Sequence, residues 1–189
     1  SRASANHQRP VIINGHSMIL GANGIYPPIG MVTGRYEIET TELFKRLLKP
    51  GMIVVDVGAH VGYYSLLAAS LVGTTGRVYS FEPEPVNYEL LLHNIERNGY
   101  KNITPTNEAL SNQSGVATLH LTALDSGRHS IYPSYLPGNG SLEIKTTTAD
   151  AFLEAHGWPG VDLVKIDVEG SEMDVLQGMN RLLQDSSNL

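Results

Sequence analysis

The feature that most constrains the fold is an apolar run at residues 52–57, which only Asp56 interrupts and which ends at Gly58, before an apolar, helix-length stretch at 63–72. A short run of almost entirely apolar residues is typical of a strand covered on both faces. The alternation then repeats, with a strand predicted over 77–81, a helix from Pro85 to Asn98–Gly99, and a strand over 103–109. This is the βαβαβ unit of a parallel, doubly wound α/β sheet, whose right-handed crossovers order the strands 3-2-1.

The rest of the chain extends this unit into one domain. Residues 1–34 are rich in turn signals, with one short strand predicted at 11–13, and we interpret them as an irregular segment that could act as a lid. Residues 35–189 form the domain itself. Its further predicted elements are helices over 40–48, 149–155 and 171–183, the last with a Ser171 capping box, and strands over 116–122, 142–148 and 161–166. Residues 123–141 are predicted to be a long loop, a type of segment that is often functional.

Composition excludes several classes of protein. The 189 residues suit one domain, and the net charge of −6 provides no general attraction for nucleic acid or anionic lipid. The chain has no cysteine, which excludes disulfides and thiolate chemistry. No apolar run reaches the roughly 20 residues that span a bilayer. We therefore expect a cytoplasmic protein with neither nucleic acid nor membrane as a partner.

The first candidate site is the turn from Asp56 through Gly58 to Gly62, between the first strand and its helix. The glycines let a ligand approach the backbone, and the helix N-terminus offers unpaired amides. The spacing differs from the dinucleotide fingerprint, and His60 occupies the place of a middle glycine. An acid two residues before the first glycine suits a ligand with an ammonium group rather than a pyrophosphate. The alternative is a glycine turn that only packs helix on strand.

The second candidate is Glu82, which ends the second strand, twenty residues after Gly62. A carboxylate at this place can accept hydrogen bonds from both hydroxyls of a ribose. The alternative is an exposed acid at the end of a strand.

Three motifs in this order are specific enough to indicate a family: residues 54–65 (VVDVGAHVGYYS), 81–85 (FEPEP) and 165–172 (KIDVEGSE), the last followed by Val175, Leu176 and Gly178. From about residue 34 to 183 the chain resembles the FkbM family of S-adenosylmethionine-dependent methyltransferases, which usually act on hydroxyl oxygens. The resemblance implies a Rossmann-like class I methyltransferase fold. The family would continue with further C-terminal strands, so we expect the domain to be C-terminally incomplete, with an exposed edge strand through which a homo-oligomer could form.

The resemblance also implies roles for individual residues. Glu82 would hold the ribose hydroxyls, and Asp167 would face both the methionine end of the cofactor and the acceptor. His60 is a tolerated departure, because its position mainly offers its backbone. Asp167 and Glu169 are the catalytic candidates, although Asp167 could only bind the cofactor's ammonium and Glu169 could only stabilise a helix N-terminus. The other implied cofactor contacts are Asp56, Gly58, Ala59 and Gly62 around the methionine, and Pro83, Glu108 and Ala109 around the adenine.

Two segments could bind a small-molecule or glycan hydroxyl. One is residues 24–37, with Tyr26, Arg35 and Tyr36, and the other is the long loop. The loop supplies our predicted substrate contacts, His129, Ser130 and Tyr132, flanked by Arg128 and Tyr135. His129 is also a third candidate base, and ordinary surface packing is the alternative role for all of these residues.

Two other functions compete with methyl transfer. A nicotinamide-dependent oxidoreductase would need the third fingerprint glycine, which is absent. A non-catalytic binding module would need only the cofactor or partner site. We expect no metal, because Asp167 and Glu169 are too few for a hard cation and the histidines show no ligand spacing.

Overall fold

The computed structural model describes residues 9–21, 30–31, 36–122, 129–132 and 138–185. Numbered in chain order, the strands are β1 Val11–Ile13, β2 His16–Met18, β3 Ile53–Val57, β4 Arg77–Phe81, β5 Ile103–Thr106, β6 Ala109–Leu110, β7 Gly115–Thr122, β8 Gly138–Thr147 and β9 Leu163–Ile166. The helices are α1 Ile38–Leu47, α2 Tyr63–Val72, α3 Pro85–Asn98, α4 Ala149–Ala155, α5 Glu172–Gln177 and α6 Asn180–Asp185.

The central sheet has the order β5-β4-β3-β9, and all of its strands are parallel. The predicted α/β fold and its 3-2-1 strand order are therefore confirmed. Val57, the last residue of β3, is in register with Phe81 of β4 and Ile166 of β9, and Phe81 is in register with Thr106 of β5. The four strands thus end together, and the residues that follow them meet at one edge of the sheet.

Two apolar cores cover the two faces of this sheet. On one face, α2 buries eight of its ten residues and packs with α1, α3 and the β1–β2 hairpin. On the other face, Val57 and Phe81 pack against α4, α5 and α6. Since alternate residues of a strand point to opposite faces, Val57 faces the second core while Asp56 faces α2.

The ends of α3 show how local sequence sets an element. The Glu84 carboxylate accepts the Asn87 amide at 2.7 Å, Pro85 occupies the first turn, and Gly99 closes the helix with φ of 74°. The helix therefore begins at the last residue of the FEPEP motif, three residues after Glu82. Among the described residues, no helix combines the length and apolarity that crossing a bilayer requires.

The N-terminal segment contains more structure than the single predicted strand. β2 pairs antiparallel with β1, and Asn94 and Asn98 of α3 accept the backbone amides of Ile19 and Ser17 at 2.8 and 2.9 Å. Residues 11–20 are therefore anchored to the domain. The segment proposed as a lid lies largely outside the described residues, because 1–8, 22–29 and 32–35, with Tyr26 and Arg35, are not among them.

Three predicted elements differ from the structure. The third strand ends at Thr106 rather than 109, because Ala109–Leu110 pairs parallel with β8 in a second sheet of order β6-β8-β7. The predicted loop is shorter at its C-terminal end, because β8 begins at Gly138. The predicted helix 171–183 is divided at Gly178, where a Cβ would lie 2.0 Å from the Ser111 carbonyl oxygen.

The predicted capping box at Ser171 is also wrong. Ser171 is the N-cap residue of α5, but its side chain accepts no capping hydrogen bond. The hydroxyl instead donates to the Val168 carbonyl at 3.1 Å. Ser171 therefore fastens the preceding turn.

Candidate active site

A cleft opens where the central strands end, with an empty volume of about 760 Å³ that includes the part open to solvent. Its wall combines the turn after β3, the end of β4, β6, the loop at 129–131, and the turn that joins β9 to α5. The lining residues include Tyr36, Gly58, His60, Phe81, Glu82, Pro83, Ala109, Leu119, His129, Ile131, Asp167 and Glu169.

The turn after β3 needs glycine at position 58. Gly58 has φ of +75°, and a Cβ there would lie 2.0 Å from the Asp167 carbonyl oxygen. The amides of Gly58 and Ala59 both donate to the Phe81 carbonyl, at 3.0 and 2.9 Å. The turn therefore lies directly against the ends of β4 and β9, and it has no room for a side chain at its first residue.

Glu82 lines the cleft and is 5% exposed. Its Oε2 accepts the His60 amide at 2.8 Å and its Oε1 accepts the Glu84 amide at 3.0 Å. Burial raises the pKa of Glu82 to about 7, although the two amides act against this and the charge of Glu84 adds to it. Each carboxylate oxygen has the capacity to accept further hydrogen bonds, so a fixed acceptor pair faces the cleft.

Asp56 does not reach the cleft. It is fully buried, and its Oδ2 accepts from the Ser65 hydroxyl at 2.6 Å, which in turn accepts from the Ser80 hydroxyl at 2.8 Å. Its Oδ1 lies 3.2 Å from the Lys165 Nζ. The acid that was expected to face the ammonium group of a ligand is therefore paired with the ammonium group of Lys165.

The remaining predicted cofactor residues divide into two groups. Pro83 and Ala109 line the cleft. Ala59, Gly62 and Glu108 are not among the residues that line it. Ala59 is buried, and Glu108 lies between β5 and β6. Gly62 is the N-cap of α2, and a Cβ at this position would lie 2.8 Å from Leu91 of α3. The close packing at Gly62 is what the packing alternative for this turn predicted.

Asp167 and Glu169 lie in the turn that joins β9 to α5, which is therefore acidic, and both line the same cleft as Glu82. The Asp167 side chain is 53% exposed, and the Asp167 backbone carbonyl lies against Gly58. Glu169 lies in a left-handed turn with φ of 49°, and its carbonyl accepts from the Ser130 hydroxyl at 2.7 Å. Asp167 therefore lies on the side of the glycine turn, and Glu169 lies on the side of the loop.

The loop at 129–132 is attached to β7 and to α5. Ser130 exchanges two backbone hydrogen bonds with His120, at 2.7 and 3.2 Å, and the Tyr132 hydroxyl donates to Asp174 at 2.7 Å. His129 and Ile131 line the cleft, whereas Ser130 and Tyr132 lie outside its wall and fix the loop. Arg128 and Tyr135 lie outside the described residues.

The orientation of His129 limits its chemistry. Its Nδ1 accepts the Thr122 amide at 3.1 Å, so this nitrogen carries no proton. The neutral ring then carries its proton on Nε2. Accepting a further proton at Nδ1 would break the hydrogen bond, which disfavours His129 as the general base.

Sequence reasoning missed three residues of the site. His60 lines the cleft, and its backbone amide donates to Glu82. Asn107 donates to the carbonyls of Glu82 and Pro83 at 2.8 and 3.1 Å and fixes their backbone. Lys165 lies beneath the glycine turn, and a charged residue inside an apolar strand is the signal that could have indicated it. No group of three or more potential metal ligands occurs in the part of the chain that the structure describes.

Comparison with known proteins identifies the family, because the model of the methyltransferase FkbM domain matches residues 56–187. The chain belongs to this family. The match confirms the resemblance drawn from the three motifs and agrees with S-adenosylmethionine as the cofactor. It covers β4, β5 and β9, the last two residues of β3 and the whole acidic turn.

Similar curated proteins are also methyltransferases. The chain is 32% identical over 133 residues to hexuronic acid methyltransferase AglP of Haloferax volcanii, a match that covers 70% of this chain and 52% of that protein. It is 30% identical to 31-O-demethyl-FK506 methyltransferase FkbM of Streptomyces tacrolimicus, with coverage of 70% and 61%. The chain thus spans between half and two thirds of the length of these relatives.

Solved structures give shorter matches. One is a SAM-dependent methyltransferase from Aquifex aeolicus, 27% identical over 38% of each chain, with a TM-score of 0.35. Another is TYW2 of P. horikoshii in complex with MeSAdo, 22% identical over 52% of this chain and 37% of that one, with a TM-score of 0.41.

Proposed function

We propose that this protein transfers the methyl group of S-adenosylmethionine to a hydroxyl oxygen of a sugar or another small molecule, and that both reactants bind in the cleft at the end of the central sheet. The observation that carries the proposal is the Glu82 carboxylate, buried and fixed by two amides beside a turn that has no room for a side chain. This arrangement suits a ribose whose hydroxyls donate to one acid.

The remainder of the cleft suits the other parts of the cofactor. Pro83, Phe81 and Ala109 offer an apolar surface for the adenine, and Asp167 offers an anion for the methionine end beside the glycine turn. When bound, the cofactor supplies an electrophilic methyl group on a positively charged sulfur. The three acids of the wall, Glu82, Asp167 and Glu169, complement a ligand that carries positive charge.

The positions of the two catalytic candidates suggest separate roles. Asp167 adjoins the Gly58 turn, so in this proposal it orients the cofactor. Glu169 adjoins the Ser130 loop, so it holds the acceptor hydroxyl and takes its proton as the methyl group arrives. His129 is left as a positioning group, because the Thr122 amide occupies its Nδ1.

The acceptor class is a hydroxyl-bearing sugar acid or a similar polar small molecule. Hexuronic acid methyltransferase AglP is named for a sugar acid, and the other named relative is named for 31-O-demethyl-FK506. A polar acceptor fits the loop side of the cleft, where His129 lies next to the acidic turn. A homo-oligomer through the edge of β9 stays a prediction.

The test is methyl transfer from radiolabelled S-adenosylmethionine to hexuronic acids, neutral sugars and alcohols, combined with calorimetric titration of S-adenosylhomocysteine and NAD. We expect S-adenosylhomocysteine to bind and at least one hydroxyl acceptor to be methylated. Glu169→Gln should lower kcat with little effect on S-adenosylhomocysteine affinity, whereas Glu143→Gln, a matched change at an exposed position of β8, should change neither. Binding of NAD without binding of S-adenosylhomocysteine would contradict the proposal.

A further inference from the structure

Lys165 of β9 holds the glycine turn from below. Its Nζ donates to the Gly58 carbonyl at 2.8 Å and lies 3.4 Å from the Val57 carbonyl oxygen. Its side chain is only 11% exposed. An ammonium group in this position replaces the water that would otherwise bind the carbonyl groups of the turn.

The same ammonium lies between two carboxylates. Asp56, its direct neighbour in register on β3, has Oδ1 at 3.2 Å, and Asp167 has Oδ2 at 3.7 Å. The contact with Asp56 has ion-pair distance without hydrogen-bond geometry, and no described group donates a hydrogen bond to that Oδ1. Lys165 therefore balances the charge of a fully buried acid, since an unpaired buried charge is strongly destabilising.

The turn is held from both neighbouring strands. On the β4 side, the Phe81 carbonyl accepts the amides of Gly58 and Ala59. On the β9 side, Lys165 holds the Gly58 carbonyl, and the ring of Tyr64 lies 5.5 Å from the ammonium on the α2 side. The donors and acceptors of the turn thus have fixed directions before any ligand enters.

We propose that Lys165 is a positioning residue for cofactor binding, which acts by fixing the Gly58 turn against Asp167 as well as by balancing Asp56. The proposal rests on the proposed function, because it takes this turn as part of the cofactor site. It separates two effects of one side chain. Charge balance stabilises the fold, and the hydrogen bond to the turn sets the affinity for the cofactor.

The experiment separates these effects with Lys165→Met, Asp56→Asn and the double variant. Lys165→Met has a side chain of similar length but leaves Asp56 as an unpaired buried acid, so its melting temperature should fall. The double variant removes both charges and should recover much of that stability. It cannot recover the hydrogen bond to the Gly58 carbonyl. Lys45→Met, which removes an exposed lysine paired with Glu42, is the matched control.

We expect the double variant to bind S-adenosylhomocysteine about tenfold more weakly than Asp56→Asn does, as loss of a charge-assisted hydrogen bond predicts. The KM for S-adenosylmethionine should rise, with a smaller change in kcat. Lys165→Arg, which keeps the charge and the donors, should bind more tightly than Lys165→Met.

Two results would overturn the proposal: a double variant with the affinity of Asp56→Asn, or equal affinities for Lys165→Arg and Lys165→Met. Either result would show that Lys165 only balances the charge of Asp56, and neither would contradict the proposed function. If the unaltered protein bound no S-adenosylhomocysteine, the proposed function would fail as well, so the two failures are distinguishable.

Discussion

The affinity for S-adenosylhomocysteine should depend on pH through Glu82. Ribose hydroxyls are best held by the ionised carboxylate, and the pKa of Glu82 is raised from 4.5 to about 7, first by burial. Near that pKa the carboxyl is ionised in about one tenth of molecules at pH 6 and about nine tenths at pH 8. We therefore expect affinity to increase about tenfold from pH 6 to pH 8.

Calorimetric titration at pH 6, 7 and 8, in buffers of different ionisation enthalpy, measures both the affinity and the protons released. Near pH 7 binding should release about half a proton per ligand. The control is Glu82→Gln, in which this part of the pH dependence should disappear. His60 and His129 also line the cleft, so any slope that persists in the variant belongs to them or to the ligand. Equal slopes in the two proteins would refute the reasoning.

The same shift has a consequence for stability. Because the pKa is higher in the folded protein, the protonated carboxyl stabilises the fold, and this contribution is lost as pH rises from about 4.5 to about 7. A shift of this size corresponds to about 3 kcal/mol. Urea unfolding at pH 5 and pH 8 should show the loss in the unaltered protein and not in Glu82→Gln.

Three further substitutions test the packing around the cleft. Gly58→Ala should destabilise the fold by about 3 kcal/mol in urea unfolding, because its Cβ would collide with the Asp167 carbonyl at positive φ; a fully stable variant would refute this close approach. Ser65→Ala should cost about 1–3 kcal/mol in the same assay by removing the hydrogen bond to Asp56, and an unchanged midpoint would show that this bond is dispensable. Ser130→Ala should raise the KM of the acceptor in steady-state kinetics, because it removes the hydrogen bond that joins the loop to the acidic turn. The affinity for S-adenosylhomocysteine, measured by calorimetry, should not change. A weaker S-adenosylhomocysteine affinity with an unchanged KM for the acceptor would contradict the assignment of this loop to the acceptor.

Local sequence was sufficient for β3, β4 and β5 of the central sheet, since buried strands and helices with an apolar face alternate clearly between residues 52 and 106. It was insufficient for β2, whose three residues show no apolar alternation and whose place depends on the side chains of Asn94 and Asn98. Ser171 shows a similar limit. Its hydroxyl could cap α5 or bind the preceding turn, and in the folded protein it donates to the Val168 carbonyl.

The site shows the same division. Gly58, Glu82 and Asp167 each follow a strand, and parallel strands bring their ends together, so the motifs alone place these three residues at one edge. The partner of Asp56 depends on the register between β3 and β9, strands more than a hundred residues apart in sequence, which no local pattern specifies. This is why an acid expected to meet the ammonium of a ligand is found beside Lys165 instead.

A crystal structure of the complex with S-adenosylhomocysteine would show whether the cleft is the cofactor site. We expect the two ribose hydroxyls within about 3 Å of the Glu82 carboxylate oxygens. The homocysteine end should lie between the Gly58 turn and Asp167. Ligand density elsewhere on the protein, or a ribose that does not contact Glu82, would contradict this assignment.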